Sequence, residues 1–353
     1  MKHFPKVKVI SALCAVLMLS ALMAGCAAAP EKVEPKGMVY FNYFDTVSYV
    51  YCYINDSAEQ FESCSADVAV ILEEYHQLFD IYNEYTGINN LCTLNKNAGG
   101  EAIKVDEKLI DFLVYAKSLC EKTDGHMNVM MGAVLRLWHD CREAAAEDRE
   151  NAFVPDMAAL EKANEHTSIE LLEIDEENCT VRISDPEAYI DVGALGKGYA
   201  IERAADFLRA EGKEGYVLNV GGNIRIIGTK PDGSGWVTGI KNPKDPGTLA
   251  ININIADTSC VTSGSYERFF IADGKKYHHI IDPDTLFPAE YFDSVTVITP
   301  DSGVADCLST ALFCMSYEDG LKLLESFGAQ ALWILPNGEK LYSPGMEQLV
   351  IKT

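Results

Sequence analysis

The chain has 353 residues, 48% of them hydrophobic, and carries a formal net charge of −24. So acidic a chain lacks the basic face that nucleic-acid binding requires, while its apolar fraction supplies a real core. A phosphate-bearing ligand would need local cations, from lysines or a metal, against that background.

At the N-terminus, Lys2, His3, Lys6 and Lys8 precede an apolar run over residues 9–24 that stops at Gly25-Cys26. A basic start, an apolar stretch and small residues at the break predict a secretory signal over residues 1–25. The run is short of the about 20 apolar residues of a spanning helix. Leu22-Met23-Ala24-Gly25-Cys26 resembles a bacterial lipobox, with Met23 where Leu is usual. That resemblance implies a lipidated Cys26 and anchoring on the extracytoplasmic face of a bacterial membrane. Residues 26–38, rich in Ala, Pro, Glu and Lys, read as a tether. Residues 39–353 read as one large or two-lobed domain. Nine of the 11 cysteines follow Cys26, an odd number without C-x-x-C spacing, which argues against zinc. Free thiols in an exported protein suggest a reducing or anoxic habitat.

Along the domain, residues 39–54 predict strands of a hairpin or meander. Residues 65–82 predict a helix, and residues 106–122 another, with Asp106 as cap and Thr123-Asp124-Gly125-His126 as stop signal. An apolar stretch at 127–138, a charged helix at 140–149 and a short helix at 155–165 follow. Strands are expected at 169–174, 180–184 and 189–192. The helical spacing of Tyr199, Ala200, Ile201, Ala204, Ala205, Phe207 and Leu208 predicts a helix over 198–212. Strands are then expected at 216–220, 224–228, 236–241, 249–255, 260–262, 269–272, 295–298 and 331–334. Helices are expected at 303–315 and 317–326. Without strict βαβ alternation the class is α+β.

Three constellations carry chemistry. Asp191-Val-Gly-Ala-Leu-Gly-Lys197 and Asn219-Val-Gly-Gly-Asn223 flank the predicted helix, so a glycine-rich turn meets a helix start twice. Glycines let amides approach a ligand, and a helix N-terminus favours anions. The spacing fits neither a Rossmann nor a Walker A pattern, and two tight turns around a core helix is the plain alternative. Second, His278-His-Ile-Ile-Asp282-Pro283 follows Ser263-Gly-Ser-Tyr-Glu-Arg268. A histidine there can accept a proton while Asp282 orients it, and Pro283 restricts the Asp282 backbone. Third, Asp306 and Thr310 share one helical face and offer hard oxygen ligands suited to Mg²⁺ or Ca²⁺.

Together these strings resemble the ApbE-type family, the FAD:protein FMN transferases. The matching segments are Asp191-Val-Gly-Ala-Leu-Gly-Lys-Gly-Tyr-Ala200, Asn219-Val-Gly-Gly-Asn-Ile224, Thr262-Ser-Gly-Ser-Tyr-Glu-Arg268 and His278-His-Ile-Ile-Asp-Pro283. Val295-Thr-Val-Ile-Thr299, Ala305-Asp306 and Thr310-Ala-Leu-Phe313 complete them. The resemblance implies a T-fold-like α+β catalytic domain that cuts the pyrophosphate of FAD. FMN would pass to a Thr or Ser hydroxyl of an exported acceptor protein, and AMP would leave. It further implies metal ligation by Asp306, Thr310 and the main-chain oxygen of Ala194, with Mg²⁺ as the ion and Ca²⁺ or Mn²⁺ as alternatives. FAD contacts are implied for Tyr82, Gly125, His126, Met127, Asp191, Lys197, Gly221, Gly222 and Ile280. His279 is implied at the reacting phosphate, oriented by Asp282.

Three positions depart from the pattern. Leu286 stands where a Gly is usual, Asn128 where an Asp is usual, and Phe44-Asp45-Thr46 replaces Met-Gly-Thr. Two other readings use the same residues: an FAD pyrophosphatase giving FMN and AMP, and a non-catalytic flavin-scavenging lipoprotein.

Overall fold

The computed structural model describes residues 34–54 and 56–352. The expected signal segment, Cys26 and the tether up to residue 33 lie outside the described residues. Pro35–Thr353 is one compact unit, which decides between the one-body and two-lobed alternatives.

Strands β1 (Lys36–Tyr43) and β2 (Thr46–Cys52) form the expected hairpin. It begins inside the stretch read as tether, because Lys36, Gly37 and Met38 pair with Cys52, Tyr51 and Val50. Helix α1 (Ala58–Phe79) starts well before residue 65, because Ser57 and Gln60 form a capping box. A short helix that the periodicity hides, α2 (Leu91–Lys96), is pinned by the Asn90 side chain, which accepts the Thr93 amide. The strand β3 (Ile103–Lys104) and helix α3 (Glu107–Lys122) follow, the latter capped by Asp106 as expected. The two segments expected at 127–149 are one helix, α4 (Gly132–Glu147), and α5 (Met157–Asn164) comes next. Strands β4 (Leu172–Asp175) and β5 (Thr180–Ile183) complete a small sheet with β3.

Residues 189–192 are not a strand. Asn95 takes the place of a neighbouring strand there: its Nδ2 donates to Ile190 O at 2.9 Å and its Oδ1 accepts the Ile190 amide at 2.7 Å. Only an isolated bridge between Tyr189 and Met131 remains of the expected pairing.

Helix α6 (Gly196–Ala210) leads into β6 (Tyr216–Val220) and β7 (Asn223–Ile227). Next come β8 (Trp236–Asn242), β9 (Asp245–Ile255), β10 (Ser259–Gly264), β11 (Phe269–Ala272) and β12 (Lys275–His278). The chain ends with β13 (Ser294–Thr299), α7 (Ser302–Ala311), α8 (Tyr317–Phe327), β14 (Gln330–Ile334) and β15 (Lys340–Tyr342). One antiparallel sheet carries the order β1-β2-β6-β7-β10-β13-β14-β15.

Every residue of β13 is buried, because both faces of the sheet are covered. On one face Val261, Val295 and Val297 pack with Ala204, Ala205 and Leu308 of α6 and α7. On the other, Ile226, Cys260 and Ile298 meet Trp236, Ile240 and Ile253 of the β8–β9 hairpin. A separate cluster joins α4 to β11 through Trp138, Phe270 and Leu286. The nine cysteines beyond Cys26 are free, and all except Cys179 are buried. Burial pushes the Cys260 thiol up to about 12 and Cys120 up to about 11, so these act as small hydrophobes.

An ion pair ties α6 to β7 under the site. Glu202 Oε2 lies 3.0 Å from Arg225 Nε and accepts the Ser302 amide at 2.7 Å, both side chains being almost fully buried. Removing one partner strands the other charge, so Arg225→Ala should cost about 3–5 kcal/mol in denaturant unfolding. A loss under 1 kcal/mol would mean the pair is not holding α6 in place.

Candidate active site

A cleft of about 1380 Å³ opens between α6, α7, α4 and the β11–β12 hairpin. That exceeds the about 300–1,000 Å³ of an ordinary small-molecule site and leaves room for a dinucleotide beside a second reactant. Of the implied site residues, Tyr82, His126, Met127, Asp191, Ala194, Lys197, Gly221, His279, Ile280, Asp306 and Thr310 line it. Gly125, Gly222 and Asp282 do not.

The glycine turn is built to aim charge. Asn95 fixes Ile190, and the Asp191 amide donates to Val129 O at 2.8 Å. The Asp191 carboxylate then accepts the Gly193 amide at 2.9 Å. Loss of solvent around that carboxyl raises its pKa, against the lowering effects of the Gly193 amide and nearby cations. Helix α6 begins at Gly196 without a side chain from its N-cap residue to close it, and its dipole favours anions. Two of its first amides are engaged: Gly196 N donates to Val192 O at 2.7 Å and Gly198 N to Asp306 Oδ2 at 2.9 Å. Lys197 Nζ sits 3.8 Å from the same oxygen and donates to Gly193 O at 3.1 Å.

Only glycine permits this contact. A Cβ at position 198 would collide with Ser302 O and with Asp306 Cβ. Gly198→Ala should therefore push α7 away and lower stability by about 1–3 kcal/mol. An unchanged denaturant midpoint in that variant would show that the close approach is dispensable.

Asp306 is buried, Thr310 half-buried one turn further along α7, and Ala194 borders the same cleft. All three present oxygen. A hard divalent ion of the Mg²⁺ type suits such a set, with its other positions left for water and phosphate oxygens. Among the described residues there is no group of three or more His, Cys, Asp or Glu placed to hold a metal.

The twin histidines have different tasks. His278, at the end of β12, is buried; its Nε2 faces Ala289 O at 2.8 Å and its Nδ1 accepts the Ile280 amide at 3.2 Å. Burial pushes its pKa down to about 4, which marks a neutral structural residue. Both histidines line the cleft, and His279 is the more exposed of the two. Its amide donates to Arg268 O at 3.0 Å and its Nδ1 lies 3.2 Å from that same oxygen. A proton on Nδ1 leaves Nε2 with a free lone pair. Burial, then the charges of Arg268 and His278, push the His279 pKa down to about 3.

Asp282 does not orient His279. Its Oδ1 accepts the Asp284 amide at 2.9 Å, closing its own turn, and main-chain Arg268 O takes the orienting role. Gly125 and Gly222 likewise serve backbone geometry, each at positive φ, 77° and 93°. Gly221-Gly222 form a two-residue hairpin turn between β6 and β7, and a Cβ on Gly221 would meet Thr46 at 2.8 Å.

The departures keep their backbone. Asp45 and Leu286 hold φ of 51° and 60°, the conformation glycine would adopt freely. Leu286 adds apolar burial, and its carbonyl accepts Trp138 Nε1 at 2.9 Å. Asn128 spans Thr167 O and the Met130 amide, at 2.8 and 2.9 Å. A carboxylate could not donate the first of these bonds.

The wall contributed by α4 went unseen in the sequence. Arg136, Trp138, His139 and Arg142 line the cleft, and the spacing of Arg136, His139 and Arg142 in threes was the available signal. His139 lies 5.7 Å, ring to ring, from Tyr82, an exposed tyrosine at the cleft's edge. Tyr277 stacks on both Trp138 and Phe270 at 5.7 Å, giving that wall an aromatic lining.

The profile of the ApbE family matches residues 44–333. A Treponema pallidum (strain Nichols) protein named FAD:protein FMN transferase is 33% identical over 302 residues, 80% of this chain and 82% of that protein. A Vibrio cholerae serotype O1 protein of the same name is 30% identical over 316 residues, 89% of this chain and 90% of that one. A crystal structure of an ApbE protein from Thermotoga maritima superposes with a TM-score of 0.79 at 27% identity, over 90% of this chain and 100% of that one. With its α+β body, its cleft and its motifs all within the matched region, the chain belongs to the ApbE family.

Proposed function

We propose that this chain is an FAD:protein FMN transferase that uses Mg²⁺, joins FMN phosphate to a Thr or Ser hydroxyl of an exported acceptor protein and releases AMP. The observation that carries this reading is the opening of Lys197, His279 and the Asp306–Thr310–Ala194 oxygens onto one cleft. The bound ion would offset the charge of the pyrophosphate and polarise the phosphorus under attack.

The protein's own groups do the rest. The α6 N-terminus and Lys197 hold phosphate oxygens. His279 Nε2 takes the proton of the acceptor hydroxyl as its oxygen bonds to the FMN phosphorus. The bond from that phosphorus to the bridging oxygen breaks, and AMP leaves with the electron pair. The cleft, about 1380 Å³, has room for the acceptor hydroxyl beside FAD. Cys26, lipidated after removal of residues 1–25, would hold residues 39–353 on the extracytoplasmic membrane face.

Chromatography of nucleotides from the mature domain with FAD, Mg²⁺ and a candidate acceptor tests the reading. AMP without matching free FMN supports transfer. Equal AMP and FMN, with or without acceptor, would replace it with the pyrophosphatase.

A further inference from the structure

Resting on that reading and going beyond it, we propose that the Arg268 guanidinium is a catalytic cation that engages the phosphate of the departing AMP. Arg268 lines the cleft immediately before β11. The other cations around the cleft are engaged: Lys96 with Glu84 at 2.7 Å, Lys197 near Asp306, Arg142 with His139, and Arg136 over the Tyr189 ring. Glu267, its neighbour, faces Lys241 at 3.5 Å. Among the described residues Arg268 has neither an ion-pair partner nor an aromatic ring beneath it, and its side chain is exposed to the cleft.

Its position follows from two further facts. Main-chain Arg268 O holds both the amide and the Nδ1 of His279, so base and guanidinium hang from one anchor. Its charge opposes the burial that raises the pKa of Asp191 and Tyr82, and adds to the burial that lowers that of His279. Arg268, Asp191, Tyr82 and His279 all line the one cleft in which the reaction is expected.

The chemistry asks for such a group. As the acceptor oxygen bonds to the FMN phosphorus, the bridging P–O bond breaks and its electron pair stays on the AMP oxygen. The hydroxyl proton goes to His279, and Arg268 keeps its own protons throughout. Asp191 and Asp306 add negative charge beside this step, so the leaving phosphate gains charge in an already acidic surrounding. A planar guanidinium can bind two of its oxygens at once. Arginines placed in this way in phosphoryl transfer contribute about 10³–10⁵ in rate.

The test uses the mature chain with FAD, Mg²⁺ and acceptor, reading FAD binding by flavin fluorescence and AMP release separately. The contact with His279 is made by main chain, so Arg268→Ala leaves it in place. The expected result is FAD affinity within about threefold of wild type and AMP release down about 10³-fold, with partial recovery on adding millimolar guanidinium and in Arg268→Lys. Release within tenfold of wild type overturns the inference. So does a loss that follows weaker FAD binding and is not restored by guanidinium, since that pattern marks a structural residue. A wild-type chain that releases no AMP would sink the reading of function itself, independently of Arg268.

Discussion

Replacing His279 with alanine leaves FAD binding intact and lowers flavin transfer by about 10²–10⁴-fold, the usual worth of a positioned base. The side chain lines the cleft without bearing on the core, and its orienting bond is to main-chain Arg268 O. Its loss should therefore leave the fold as it is, with an unchanged melting temperature as the control. The pH dependence carries the same claim with a definite sign. Protonation removes the acceptor lone pair, and a pKa pushed from its ordinary 6.5 down to about 3 puts that event far below neutrality. Transfer should show no loss centred near pH 6.5 as the medium is acidified. A His279-dependent limb centred there would mean that the residue is solvated like a free imidazole and not shielded as the structure has it.

On the proposed metal role, Asp306→Ala should abolish any Mg²⁺ dependence and activity together. A bound cation supplies several kcal/mol of charge stabilisation to phosphoryl transfer, and each about 1.36 kcal/mol is tenfold in rate, so the loss should reach about 10³-fold. Asp306→Ala also strands the Gly198 amide and leaves Lys197 without its nearby carboxylate. Asp306→Asn separates the two effects. It keeps an oxygen for Gly198 and the same volume, so it should melt near wild type yet fail to titrate with Mg²⁺. Full activity in Asp306→Asn would contradict a metal role for the carboxylate.

Much of the fold could be read because its strands are short apolar runs between turn residues. Residues 216–220 and 269–272 were legible in that way, and α3 announced itself through Asp106. Strand β12, Lys275-Lys-Tyr-His278, was not, because three of its four residues are polar. The segment at 189–192 has the composition of a strand, yet a side-chain amide from Asn95, far away in sequence, satisfies its backbone. No local pattern encodes that.

The site divides in the same way. The glycine turns, Asp306 and the His278–His279 pair were visible as motifs. Which histidine keeps a free ring nitrogen follows from contacts of distant residues, Ala289 with His278 and Arg268 with His279, and Asp282 turned out to serve its own turn. The α4 wall was hidden because the sequence splits it into an apolar stretch at 127–138 and a charged helix at 140–149, so Arg136, His139 and Arg142 do not read as one face. Asp45 and Leu286 show the limit of reading glycine patterns. The chain keeps positive φ at both positions without glycine, and at Leu286 the burial of the side chain offsets part of the conformational cost.

The most direct test of the account is the intact mass of an acceptor protein after incubation with FAD, Mg²⁺ and the mature domain. The account predicts an FMN-sized gain on the acceptor that disappears with EDTA, with Asp306→Asn and when the acceptor hydroxyl residue is replaced by valine. Complete FAD turnover with an unmodified acceptor, or a mass gain that survives EDTA, would contradict it.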